Sequence, residues 1–180
     1  MKNKKNVLVV AAHPDDEVLG CGGTIAKHIE QGDQVEVVIL AEGITSRETK
    51  QNQIGQSKEI FKLSEAAKKA NHILGVKKLT LNNFPDNRID SLDRIQVIKF
   101  IESVIKKCNP EIIYTHHAGD LNIDHRRTHE SVVTASRALP GCGINTLLFF
   151  EVASSTESQT AGSAPYFMPN WFVDISSTLE

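Results

Sequence analysis

Residues 7–12 read Val-Leu-Val-Val-Ala-Ala, with no polar residue among them. A strand with one wet face alternates apolar and polar residues, whereas a strand covered on both faces does not. Taken as a strand over residues 6–12, the run demands helices above and below it and a central place in a parallel sheet. The character then changes at once. His13-Pro14-Asp15-Asp16-Glu17 puts an imidazole and three carboxylates at the end of that buried strand.

The rest of the chain keeps the same rhythm. "GGTIAKHIEQG" predicts a helix closed by Gly32, "QVEVVILA" (34–41) a second strand, and a polar loop leads into a long helix with Gly75 as its C-cap. "KLTL" (78–81) predicts a third strand and "NNFPDNRIDS" a loop. Residues 92–108 predict an amphipathic helix, "EIIYTHH" a fourth strand and residues 124–139 a further helix. "TLLFFEVA" and "WFVDI" (171–175) read as later strands, and the Ser/Thr/Gly-rich residues 153–165 as a long surface loop. Strands alternating with helices make an α/β domain with a largely parallel sheet. In such domains ligands bind beyond the carboxyl ends of the strands. "HPDDE", "FPDNR" and "HHAGDLNIDH" each follow a predicted strand, so three distant polar clusters should share one rim.

Composition removes several functions. The chain has 180 residues, enough for a single domain over 1–180, and a net charge of −2 with no basic stripe. Charge therefore suggests neither nucleic acid nor an anionic membrane as partner. No apolar run is long enough to span a bilayer, and the polar start does not lead a signal peptide. Cys21, Cys108 and Cys142 are widely spaced and lack a Cys-x-x-Cys pair, which argues for reduced thiols and a cytoplasmic location. Cys21 reads as a small buried filler. Histidines are the more informative residues: four of the seven lie between His116 and His129.

"HPDD" offers one imidazole and two carboxylates, and "NIDH" a second imidazole, His125, preceded by Asp124. Two histidines and one aspartate make an open metal site, and a metal so held acidifies water. The spare aspartate is then a general base. The same residues have plainer readings: Asp15, Asp16 and Glu17 as caps of the next helix, and His125 with His129 as an exposed helix face. His129 reads as a packing residue rather than a ligand. His116 is expected to point away from the rim, because it alternates with His117. Gly20, Gly22 and Gly23 read as close packing on the sheet, since they do not form G-x-G-x-x-G.

"AHPDDEVLGCGGTIA", "NFPDNRID" and "DLNIDHRRTH", in that order, resemble the LmbE/PIG-L family of zinc-dependent N-deacetylases over residues 6–152. The resemblance implies a Rossmann-like three-layer α/β sandwich. It implies removal of an acetyl group from an N-acetylglucosamine-type sugar or conjugate, by zinc-bound water activated by an aspartate. It implies His13, Asp16 and His125 as metal ligands, Asp15 as general base, Asp124 as the residue orienting the site, and Asp86 as a contact to sugar hydroxyls. Zinc is the expected ion, and iron(II) suits the same donors. The small-molecule amino sugar is the expected partner, with a homo-oligomer expected from the family.

The chain departs from the family pattern in three places. Asn122 stands where many members carry a histidine; an asparagine can donate to an oxyanion but cannot deliver a proton. His117 is the candidate to supply that proton. Leu63 stands where members often carry a substrate-binding arginine, and Arg47 or Arg88 are the candidates to replace it. The family's C-terminal segment is expected to be missing after residue 180. These departures keep an alternative open, a non-catalytic sugar- or nucleotide-sugar-binding protein on a decayed deacetylase scaffold.

Overall fold

A computed structural model describes residues 4–47, 53–137 and 143–179; the side chains of residues 47 and 53–56, and Cys142, lie outside what it describes. Five strands form one parallel sheet: β1 (Asn6–Ala11), β2 (Gln34–Ala41), β3 (Lys78–Phe84), β4 (Ile112–His116) and β5 (Thr146–Phe150). The helices are α1 (Asp16–Glu30), α2 (Gln53–Ile73), α3 (Arg94–Cys108), α4 (Ile123–Ala135) and the short α5 (Ala153–Thr156). Strand order is β3-β2-β1-β4-β5. The order reverses beside β1, so the crevice of an open α/β sheet falls between the carboxyl ends of β1 and β4. His13 leaves one of those ends and His116 closes the other.

The unbroken apolar run of β1 is explained by its place. Leu8 and Val10 face one core with Val38, Leu40, Ile101, Ile113 and Val132, under α3 and α4. Val7 and Val9 face the other, with Val35, Val37, Ile25 and Ala67, under α1 and α2. Every residue from Val7 to Ala12 is at most 1% exposed, which is what two-sided cover requires.

Helix α1 begins at Asp16, six residues before the predicted start at Gly22. Asp16 and Glu17 occupy its first turn, where carboxylates complement the helix dipole. The helix is broken at Cys21 (φ −150°, ψ 23°), between glycines that pack tightly. A Cβ on Gly20 would overlap the Phe150 ring at the end of β5, and one on Gly23 would lie 2.7 Å from Ile175. Cys21 is buried, as expected of a filler. Gly75 holds φ +79°, the left-handed conformation its C-cap role needs.

Two expectations fail. Residues 171–175 are not a strand: they are irregular, with Trp171 and Phe172 exposed and Ile175 packed against Gly23. Residues 153–165 are not wholly a surface loop, because Ala153–Thr156 turns as a helix and Thr156 is buried. Asp120 draws that turn inward, accepting from Thr156 Oγ1 at 2.6 Å.

Candidate metal centre

The rim is assembled around the carboxylate of Asp16. Its Oδ2 accepts the backbone N–H of His13 at 2.8 Å and lies 3.4 Å from His13 Nδ1 and 3.2 Å from His125 Nε2. The remaining nitrogen of each ring is held by another carboxylate. His13 Nε2 is 3.1 Å from Asp124 Oδ2 and 3.2 Å from Asp86 Oδ1, and His125 Nδ1 is 3.1 Å from Asp120 Oδ2. Carboxylate–imidazole pairs of this kind set the tautomer and aim the free nitrogen at a metal. Donor atoms of His13, Asp16 and His125 all lie within 4.8 Å of one another. Two imidazoles and one carboxylate, each with its outer partner in place, fit a divalent transition metal.

The sequence explains the placement. Asp124 and His125 lie in the first turn of α4, and Asn122 caps it through Oδ1 and the Asp124 N–H at 2.8 Å. Asp124 Oδ1 also accepts the Ile89 N–H at 2.9 Å, which ties α4 to the segment after β3. Asp120 is the outer partner that sequence reasoning missed. It accepts from His125, Ser155 Oγ (3.0 Å), Thr156 Oγ1 and the Asn122 N–H (2.8 Å). It stood inside "HHAGDLNIDH", but only the loop geometry brings it under a ring five residues away.

Burial and charge shape the protons here. Burial by itself would lower the His13 pKa, but hydrogen bonds to Asp124, Asp16 and Asp86 outweigh it and raise it to about 11. Burial likewise opposes a charged His125, and Asp120 and Asp16 raise it to about 9. Burial opposes ionisation of Asp16 too, yet the charged imidazoles of His125 and His13 hold its carboxyl far below the usual range. Burial opposes ionisation of Asp86, while His13 and Ser46 hold it down at about 2. The cluster therefore gathers positive charge between its rings and Asp16, which is where a cation would stand.

His116 corrects an expectation: it points into the cluster, not away. Its ring stacks on His125 with centroids 3.9 Å apart, and its Nε2 accepts the Ala12 N–H at 2.9 Å. That hydrogen bond occupies the Nε2 lone pair, and burial drives the pKa down to about 3, so the ring is neutral and braces the centre. His117, its neighbour on the strand, faces the other way. Its Nε2 is 2.9 Å from the Pro165 carbonyl, its ring meets Phe167, and it does not line the cavity. His129 bonds to the His116 carbonyl and packs on Phe149, a packing role.

A cavity opens over the centre, lined by His13, Asp16, His125, Asp15, Asp86 and Asn122 among others. Asp15 is exposed to it and sits at φ 131°, ψ −29°, a backbone conformation costing roughly 1–3 kcal/mol. The strain is held by its own N–H on Glu17 Oε2 (3.1 Å) and by its carbonyl, which receives the N–H groups of Val18 and Leu19. Asn122 reaches the cavity while its Nδ2 donates to Asn87 Oδ1 at 3.1 Å. Asp86 accepts from the Ser46 N–H and hydroxyl. Leu63 lines the cavity; Arg88 is exposed and outside the lining, and the Arg47 side chain lies outside the described residues.

The fold and this centre define a Rossmann-like α/β domain with a His/Asp metal-type site at its switch point. The family model for GlcNAc-PI de-N-acetylases (PIG-L) matches residues 8–136, and the chain belongs to that family. It is 27% identical over 142 residues to a probable N-acetyl-α-D-glucosaminyl L-malate deacetylase 2 of Bacillus anthracis, covering 78% of this chain and 63% of that protein. It is 32% identical over 129 residues to a 4-oxalmesaconate hydratase of Pseudomonas putida, covering 68% of this chain and 48% of that protein. Among solved structures, the N,N′-diacetylchitobiose deacetylase from Pyrococcus horikoshii superposes with a TM-score of 0.71 at 25% identity, over 98% of this chain and 66% of that one. No helix among the described residues is long and apolar enough to cross a membrane.

Proposed function

We propose that the chain hydrolyses the N-acetyl amide of an N-acetylglucosamine-type sugar or conjugate. The observation that carries this is Asp15, an exposed carboxylate held in a strained turn at the wall of the cavity that contains His13, Asp16 and His125. Those three residues would hold zinc or iron(II). Such an ion, when bound, supplies a Lewis acid for the amide carbonyl and makes water more acidic.

The protein's own residues do the rest. Asp15 takes a proton from the attacking water as its oxygen bonds to the carbonyl carbon. The carbon–nitrogen bond then breaks, and Asp15 returns the proton to the departing nitrogen, giving acetate and a free amine. His117 takes no part in this reading, because its ring is spent on Pro165. Asn122 has one amide hydrogen left to offer the developing oxyanion. Asp86 accepts from a sugar hydroxyl, and Asp124 keeps His13 oriented.

The P. putida relative motivates a second reading, hydration of a conjugated acid. It fits less well, since no Lys or Arg side chain among the described residues lines the cavity to pair with several carboxylates at once.

Acetate release and amine formation from N-acetylglucosamine and diacetylchitobiose test the proposal, with Asp15→Asn beside the parent protein. We expect turnover by the zinc-loaded parent and a loss of about 10²–10⁴-fold in the variant, with metal retained. Full activity of the variant removes Asp15 as base. Sugar binding that survives metal removal, with no acetate from the parent, favours the non-catalytic alternative.

A further inference from the structure

Of the three carboxylates in His13-Pro14-Asp15-Asp16-Glu17, the chemistry above uses two and leaves Glu17. Glu17 lies in the first turn of α1 and is fully buried. Both of its oxygens are engaged: Oε2 accepts the Asp15 N–H at 3.1 Å, and Oε1 accepts Asn71 Nδ2 at 2.7 Å. Asn71 is buried on α2, and the same Nδ2 also donates to the Ala67 carbonyl at 3.0 Å. Among the described residues Asn71 Oδ1 has no hydrogen-bond partner. An apolar pair of the same shape would join the two helices at least as well, with no oxygen left unsatisfied. Packing of α1 on α2 therefore does not account for Glu17 and Asn71.

Their effect falls on Asp15. An aspartate at a helix N-cap ordinarily turns its carboxylate back onto the N–H groups of the first turn. Asp15 makes no such side-chain cap hydrogen bond and holds φ 131° instead, and its side chain lines the cavity. A strained conformation of this kind persists only where the surroundings enforce it. The Asp15 N–H is held by Glu17, and Glu17 is fixed in turn by a second helix. We propose that Glu17, anchored by Asn71, is a positioning residue, which keeps the Asp15 carboxylate at the metal-type centre rather than on the end of α1. Glu17 does not line the cavity, so it acts through Asp15 alone. The inference rests on the proposed reading of Asp15 as the base.

Glu17→Gln, Glu17→Leu and the double variant Glu17→Leu/Asn71→Leu test it in the zinc-loaded chain. Glutamine keeps an acceptor for the Asp15 N–H, and leucine removes it. The double variant also removes the buried amide that a leucine at 17 would strand. On diacetylchitobiose we expect kcat near the parent's with glutamine and a fall of about 10–100-fold in both leucine variants, with KM and zinc affinity unchanged. Thermal melts separate position from stability: the double variant should melt near the parent and still turn over slowly, whereas a purely structural role predicts activity that recovers with the melt. Amide hydrogen exchange followed by NMR reads the contact without turnover. The Asp15 N–H should exchange slowly in the parent and the glutamine variant, and faster in both leucine variants. Parent-like kcat in the double variant, a glutamine variant as slow as leucine, zinc affinity that falls along with kcat, or Asp15 exchange indifferent to leucine overturns the proposal. No acetate from the parent, with Asp15 exchange quickened by leucine, would leave the hold of Glu17 on Asp15 standing and sink the deacetylase reading. Acetate from the parent and from an equally fast double variant would do the reverse.

Discussion

Metal binding to this centre should expel two protons. With His13 raised to about 11 and His125 to about 9, both rings are charged at pH 7.5 when no ion is bound. An ion needs the lone pairs of His13 Nδ1 and His125 Nε2, while Asp124 and Asp120 keep the outer N–H groups. Two protons must therefore leave for each ion that enters. Below pH 9 the apparent affinity should rise about 100-fold per pH unit, or about 2.7 kcal/mol, then about tenfold per unit up to pH 11. Calorimetric titration with zinc at pH 7.5, in two buffers of different ionisation enthalpy, counts the protons directly. A value near two supports the charge balance argued from the Asp124–His13 and Asp120–His125 pairs; release of less than one proton per ion refutes it. The sign for stability can be checked on the same protein. Raised His13 and His125 stabilise the metal-free fold below pH 6.5, and that stability is lost as pH rises through 9 and 11. His116, held neutral with its pKa at about 3, acts oppositely: its contribution is full above pH 6.5 and is lost as pH falls towards 3. Considering these groups alone, the metal-free melting temperature should peak near pH 6.5, and excess zinc should flatten the alkaline side.

Two substitutions test the supports of the centre. Asp120→Asn places an NH2 group among four donors, His125 Nδ1, Ser155 Oγ, Thr156 Oγ1 and the Asn122 N–H, so it cannot satisfy all of them. Zinc affinity should drop about 10–100-fold in chelator competition, and an unchanged value would deny Asp120 its role in aiming His125. Gly20→Ala drives a methyl into the Phe150 ring, which itself packs on His116 at 4.7 Å. The melt should show about 1–3 kcal/mol of destabilisation, and zinc should bind more weakly; a melt like the parent's would mean that the α1–β5 contact is looser than the structure has it.

How much of this was legible beforehand depended on how local the signal was. The unbroken run at Val7–Ala12 announced a two-sided strand, and strand 34–41 has the bounds its pattern implied, because burial on both faces leaves a residue-by-residue trace. Residues 171–175 carry the same β-branched and aromatic composition and form no strand. Composition reports fitness for a buried, pleated surface, and here Ile175 packs on Gly23 while its segment stays out of the sheet. The site divides in the same way. His13, Asp16 and His125 are brought together, and Asp86 and Asn122 reach the cavity. Arg88 and His117 do not, since nothing in an isolated arginine or histidine says which way a loop or strand end turns it.

His116 and His117 show where that limit lies. Alternation along β4 correctly sends the two rings to opposite sides, but it does not say which side is the site. The choice is made by register. His116 pairs with Phe150 as the last residue of the ladder, and it lies beside β1 closely enough for its ring to cap the Ala12 N–H. A free backbone donor at the end of a central strand has to be satisfied, and a buried imidazole on the neighbouring strand does it. The same strand ending that releases His13 towards Asp16 thus calls His116 inward, and His117 is left to bind Pro165 outside. The centre is then a consequence of ending two adjacent parallel strands at a switch point. One strand supplies the ligand-bearing turn, the other supplies the ring that braces it, and the helix that follows the second strand returns Asp124 and His125 over both.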